Sequence, residues 1–138
     1  MNQNMKRLPY GINDFEAVIE QNQYYVDKTM YLPLLENQPS SIIFIRPRRF
    51  GKSIFLSMLH AYYDCSKKEK FQTLFGDLWV GKHPTPLQGR YQVLHLDFSY
   101  VGGSIDKLEE NFDMYLRVKL DGFMRIYQEF YLTDFKEK

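Results

Sequence analysis

The sequence predicts an α/β fold with parallel strands, and two apolar runs predict it. Ile42-Ile43-Phe44-Ile45 is continuous in apolar residues, as strands buried on both faces are. Tyr91 to Phe98 restarts that character after a long intervening stretch that holds an amphipathic segment. A strand, a right-handed crossover and a second strand make a parallel unit the economical topology. Composition agrees: 138 residues fit one domain with a real core, and 44% hydrophobic with 17% aromatic residues argue against disorder.

Taken in order, Met1 to Arg7 are polar and expected to be loose. Asp14 is placed to N-cap a short helix through Glu20. Tyr24 to Val26 is β-prone and brief, and Lys28 to Glu36 reads as a helix with Pro33 in its first turn or kinking it. The polar link Asn37 to Ser40 precedes the strand at 42–45. A helix from Lys52 to about Tyr63 follows, with Ile54, Leu56, Leu59 and Tyr63 as its expected core stripe. After the charged link Ser66 to Lys70, Phe71, Leu74, Phe75, Leu78 and Trp79 share helical spacing until Gly81 ends it, and Trp79 is expected to pack the domain. Pro84, Pro86 and Gly89 mark loop. Beyond Gly102-Gly103, Ser104 is expected to cap a long helix to about Tyr131, with Gly122 as a candidate break and Leu108, Phe112, Tyr115, Leu116, Leu120 and Phe123 as its apolar face.

The chemistry concentrates between the first strand and its helix, in Arg46-Pro47-Arg48-Arg49-Phe50-Gly51-Lys52-Ser53. The spacing is that of a phosphate-binding loop (P-loop, Walker A), in which backbone N–H groups and a helix N-terminus face phosphate oxygens. Gly51 allows close backbone approach, Lys52 would reach the β- and γ-phosphates of ATP, and the Ser53 hydroxyl would hold Mg²⁺. Arg46 stands where the loop's first glycine is expected, so the turn out of the strand uses an ordinary φ helped by Pro47.

Other classes are less supported. The net charge of +1 gives no whole-molecule field for nucleic acid, and Arg46, Arg48, Arg49 and Lys52 form the only obvious basic patch. The single Cys65 cannot form an intramolecular disulfide, there is no leader-like opening and no apolar run of bilayer length, so a cytoplasmic protein without a membrane partner is expected. His60, His83 and His95 are scattered and lack zinc-site spacing, and no Ser-His-Asp or Cys-His arrangement can be supported.

The run Ser41 to Leu59 resembles the AAA-ATPase-like family of bacterial and archaeal P-loop proteins, whose loop also reads Arg-Pro-Arg-Arg-Phe-Gly-Lys-Ser. Leu8 to Phe15, Tyr24 to Thr29 and Val93 to Ser99 are similar to further family signatures in the same order, over roughly residues 7 to 132. The resemblance implies an incomplete P-loop NTPase-type three-layer unit with parallel strands and an N-terminal helical segment. Residues 1–138 would be the N-terminal portion of the domain, with 1–40 as N-terminal segment and 41–132 as α/β core, often followed in the family by a nuclease-like domain. It implies ATP and Mg²⁺ as cofactors and makes Arg46 normal for the family. The family's metal-organising acidic strand has no counterpart here, so hydrolysis is expected to be incomplete and no catalytic residue is assigned. Asp97 reads either as a metal-organising acid or as a carboxylate capping the next loop. Asp27 and Lys28 are expected near the nucleotide cleft or holding the N-terminal segment to it, and Tyr10 to Ile12 over the base. The competing readings are a nucleic-acid-binding module using the basic loop, and an interaction fragment prone to self-association.

Overall fold

The computed structural model describes residues 6–134, so that part of the segment expected to be loose, residues 1–5, lies outside them. Contacts divide the chain into two units, Met1–Tyr91 and Gln92–Lys138.

The first unit is helical. Helix α1 (Phe15–Glu20) starts where Asp14 predicts, with the Asp14 carboxylate accepting from the Ala17 amide at 3.1 Å. A 3₁₀ turn at Thr29–Tyr31 leads into α2 (Leu32–Glu36), which takes Pro33 in its first turn, where a missing N–H costs nothing. Helix α3 (Lys52–Tyr63) has the expected bounds and is followed by a 3₁₀ stretch at Cys65–Lys70, then α4 (Phe71–Phe75) and α5 (Trp79–Lys82).

The core forms around α3. Phe55, Met58, Ala61 and Tyr62 are buried on one side of it, together with Phe15, Leu32, Leu74, Phe75 and Val80. The expected stripe of Ile54, Leu56, Leu59 and Tyr63 is therefore displaced by about one residue: three of these are only partly buried and Leu56 is 45% exposed. The helix is apolar over most of its circumference, so spacing alone leaves two faces available, and the aromatic partners Phe15, Phe71 and Phe75 decide between them. The Tyr62 hydroxyl accepts from the Thr85 amide at 2.8 Å, and Thr85 Oγ1 in turn donates to Glu36 at 2.6 Å, which ties the proline-containing loop to α2. Trp79 is 36% exposed and stacks on His83 at 4.6 Å instead of filling the core.

The sheet is not there. Among the described residues no strand forms, and the parallel contact between Asp64 and Tyr91 is an isolated bridge. This overturns the α/β three-layer expectation, with its parallel strands at 42–45 and 91–98. The reason is that a strand is made by its ladder partner and burial, not by apolar composition. Ile43 and Ile45 are 86% and 84% exposed. In the second unit, backbone donors that a ladder would have used go to tyrosine hydroxyls: the Val93 amide donates to Tyr127 at 2.9 Å and the Asp97 amide to Tyr115 at 2.6 Å.

That unit consists of the stretch from Gln92, two 3₁₀ turns at Phe98–Tyr100 and Ile105–Lys107, α6 (Leu108–Ile126) and α7 (Gln128–Asp134). Ser104 precedes the second turn but makes no side-chain cap. The long helix breaks at Tyr127, not at Gly122, which sits inside α6. Of its expected apolar face, Leu108, Phe112 and Leu120 are exposed. No helix among the described residues is long and apolar enough to cross a membrane.

Gly81 does not end a helix but lies within α5, where a Cβ would stand 2.0 Å from the Phe75 carbonyl oxygen and 2.8 Å from that of Gly76. Gly81→Ala is expected to cost about 1–3 kcal/mol, as overpacking against backbone does; an unchanged thermal melt would contradict this packing. A second outcome concerns acid. Burial pushes the Asp14 and Glu16 carboxyls up, but the Ser57 hydroxyl and Ala17 amide on Asp14, and Lys67 and Lys70 on Glu16, outweigh it, so both end below their ordinary values. A carboxyl lowered by folding adds stability above its unfolded pKa and loses it as pH falls through the folded value. Stability is therefore expected to drop as pH falls below the ordinary carboxylate range, and Glu16→Gln to flatten that slope in acid-titrated denaturant melts.

Candidate functional site

Helix α3 positions the loop because its buried face fixes where its first turn points. Gly51 precedes the helix with φ 74°, a left-handed conformation that a residue with a Cβ adopts only under strain. Arg49 is also left-handed, at φ 67°, whereas Arg48 and Phe50 keep negative φ. Alternation of hand turns successive N–H groups to one side of the backbone, the geometry of an anion nest. The Phe55 amide closes the first helical turn onto the Gly51 carbonyl at 3.0 Å. The amides of Lys52, Ser53 and Ile54 thus have no acceptor within the helix.

Lys52 is the first residue of α3, and its ammonium folds back across the loop to the Arg46 carbonyl at 2.5 Å, with the Pro47 carbonyl at 3.5 Å. The Arg46 guanidinium lies over the Phe44 ring, 5.6 Å from its centroid, and Phe44 stacks on Phe55 at 5.1 Å. Arg48, Arg49 and Phe50 are exposed in the turn. Ser53 is exposed on the second residue of α3. Its hydroxyl is a hard oxygen donor of the kind that could hold Mg²⁺. Among the described residues there is no group of three His, Cys, Asp or Glu able to hold a metal.

A cavity of about 640 Å³ adjoins the loop. Arg46, Phe50 and Gly51 line it from the loop side; Pro47, Arg48, Arg49, Lys52 and Ser53 do not. Its apolar walls come from Val26, Met30, Tyr31, Leu34, Leu35, Phe44 and Phe55, with Asp27, Lys28 and Gln38 as polar members. Tyr10 to Ile12 are outside this lining, and Tyr10 is 97% exposed.

The Asp27-Lys28-Thr29 run has a geometric role that its sequence did not disclose. Asp27 Oδ1 accepts from the Thr29 amide at 2.8 Å and hydroxyl at 2.7 Å, and Oδ2 accepts from the Trp79 amide at 2.7 Å. Thr29 Oγ1 accepts from the Val80 amide at 3.1 Å. Together they satisfy the first donors of α5. Asp97, in the second unit, accepts from the Ser99 hydroxyl at 2.6 Å and amide at 3.0 Å, and these bonds hold its carboxyl below the ordinary value; this is the loop-capping alternative. His60 pairs with the buried Asp64 at 2.9 Å.

Comparison with known proteins adds the following. A family model described as "Predicted AAA-ATPase" matches residues 9–138. A protein of Azotobacter chroococcum mcd 1, described as an uncharacterized protein in the vnfD 5′ region, is 47% identical over 55 residues. That stretch spans 39% of this chain but 11% of the relative. No solved structure matches. With nearly its whole length matched by the family model, the chain belongs to the AAA-ATPase-like family.

Proposed function

We propose that the chain binds Mg-ATP through Arg46, Pro47, Arg48, Arg49, Phe50, Gly51, Lys52 and Ser53. The observation that carries this reading is the alternating hand of residues 49 to 51 at the entrance to α3, with Lys52 drawn across the same loop. Free amides at the start of α3 and the positive end of its dipole favour an anion there. Lys52 exchanges its two carbonyl acceptors for phosphate oxygens, a stronger charge-assisted partner. Ser53 supplies a hydroxyl to Mg²⁺, which when bound neutralises phosphate charge. The chain's residues bind and orient; no side chain is assigned to activate water, because Asp27, the acid lining the cavity, already accepts three hydrogen bonds.

Calorimetric titration of MgATP into the wild type and Lys52→Ala tests the reading. Loss of a charge-assisted hydrogen bond is expected to weaken binding by about tenfold to a hundredfold. The melt should be unchanged, since Lys52 Nζ donates only to exposed loop carbonyls. Equal affinities, or no binding by either protein, would reject it. Duplex DNA that ATP does not displace, with affinity falling steeply in salt, would instead favour the nucleic-acid alternative.

A further inference from the structure

Lys28 lies outside the loop in sequence but against it in space. Its ammonium is 3.6 Å from the point a Cβ on Gly51 would occupy, which puts it in van der Waals reach of the loop backbone at that residue. Both residues line the 640 Å³ cavity, as does Arg46. The position of Lys28 is fixed by its neighbours: Asp27 and Thr29 are bound to the Trp79 and Val80 amides, which holds the chain on either side of it.

Lys28 is only partly exposed, yet among the described residues it has no carboxylate within ion-pair distance and donates no hydrogen bond. Asp27 is the acid beside it, and both its oxygens are engaged by backbone and hydroxyl donors. A cation without a carboxylate partner beside the loop has room to gain an anionic one. A triphosphate carries more negative charge than one lysine balances, and a lysine serves phosphate as a movable point charge.

We propose that Lys28 contacts a phosphate of the nucleotide held at Arg46–Ser53, as a second cation supplied from outside the loop. This rests on the MgATP reading and adds to it a residue that the loop motif does not contain. Gly51 then has one conformational task, the left-handed φ, while Lys28 approaches it from outside the loop.

The test is MgATP calorimetry on the wild type, Lys28→Met, Lys28→Arg and Lys52→Ala, with a thermal melt of each. Lys28→Met is expected to weaken binding about tenfold with an unchanged melt, and Lys28→Arg to stay near wild type because the charge is retained. Weakening by Lys52→Ala with wild-type affinity in Lys28→Met overturns the Lys28 assignment and leaves the loop reading standing. Failure of the wild type to bind removes both. Equal weakening in Lys28→Met and Lys28→Arg points to shape instead of charge and also overturns the assignment. Should Lys28→Met lose its fold, amine acetylation of the wild type followed by mass spectrometry replaces it. Lys28 labelling is then expected to fall severalfold with MgATP, and labelling that does not change overturns the assignment.

Discussion

The site depends on the burial of one face of α3. Phe55, Met58, Ala61 and Tyr62 lock that helix against Phe15, Leu32 and Phe75, so it cannot rotate without exposing several aromatic rings. At roughly 1.5–3 kcal/mol for each large apolar side chain removed from water, that face outweighs any single polar contact in the loop. Because Lys52 is the first residue of the helix, locking α3 also fixes where its amides and ammonium begin. Asp14 adds a polar tie: it caps α1 while accepting from Ser57 of α3 at 2.7 Å, and Ser57 accepts from the Phe15 amide at 2.9 Å.

A second constraint fixes the opposite wall of the cavity. Helix α5 has four residues, too few to stabilise itself, and its first amides would lack partners without Asp27 and Thr29. In return those bonds hold 27–29 at one register. The Asp-Lys-Thr run thus does structural work at its two ends and leaves its middle residue facing the loop. The start of α5 and the place of the cation beside Gly51 share one set of hydrogen bonds.

Two helix starts were legible from local chemistry, whereas the stop expected at Gly81, the break at Gly122 and the cap at Ser104 were not found. Asp14 announces α1 because its carboxylate reaches an amide three residues on, and Gly51-Lys52-Ser53 announces α3 through the loop motif, which a helix follows. What depends on distant partners was not legible. Ile42 to Ile45 has strand composition, but no neighbouring segment among the described residues pairs with it. Tyr115 and Tyr127 captured backbone donors that sequence assigned to a ladder, and nothing in the spacing of those tyrosines marks them as backbone acceptors. The buried face of α3 was missed by one position for the same reason, since Phe15 and Phe75 choose it. The loop itself was visible as a motif, whereas the approach of Lys28 to Gly51 joins residues far apart in the chain.

The loop is clasped twice, and the two clasps differ in what they can give up. Lys52 reaches back to the Arg46 carbonyl, and Phe44, just before the loop, stacks on Phe55, just after it. The first is an exposed hydrogen bond that adds little to stability, because water replaces the carbonyl readily. The second joins a buried ring to a partly covered one and contributes about 0.5–1.5 kcal/mol beyond the area it covers. A ligand that takes the Lys52 ammonium therefore removes the weaker clasp and leaves the aromatic one closed. Within the strand-like run before the loop Phe44 is the most covered residue, whereas Ile43 and Ile45 are largely in solvent. On the proposed reading the loop would exchange its internal partner for phosphate without opening, because its closure would still rest on the Phe44–Phe55 ring pair.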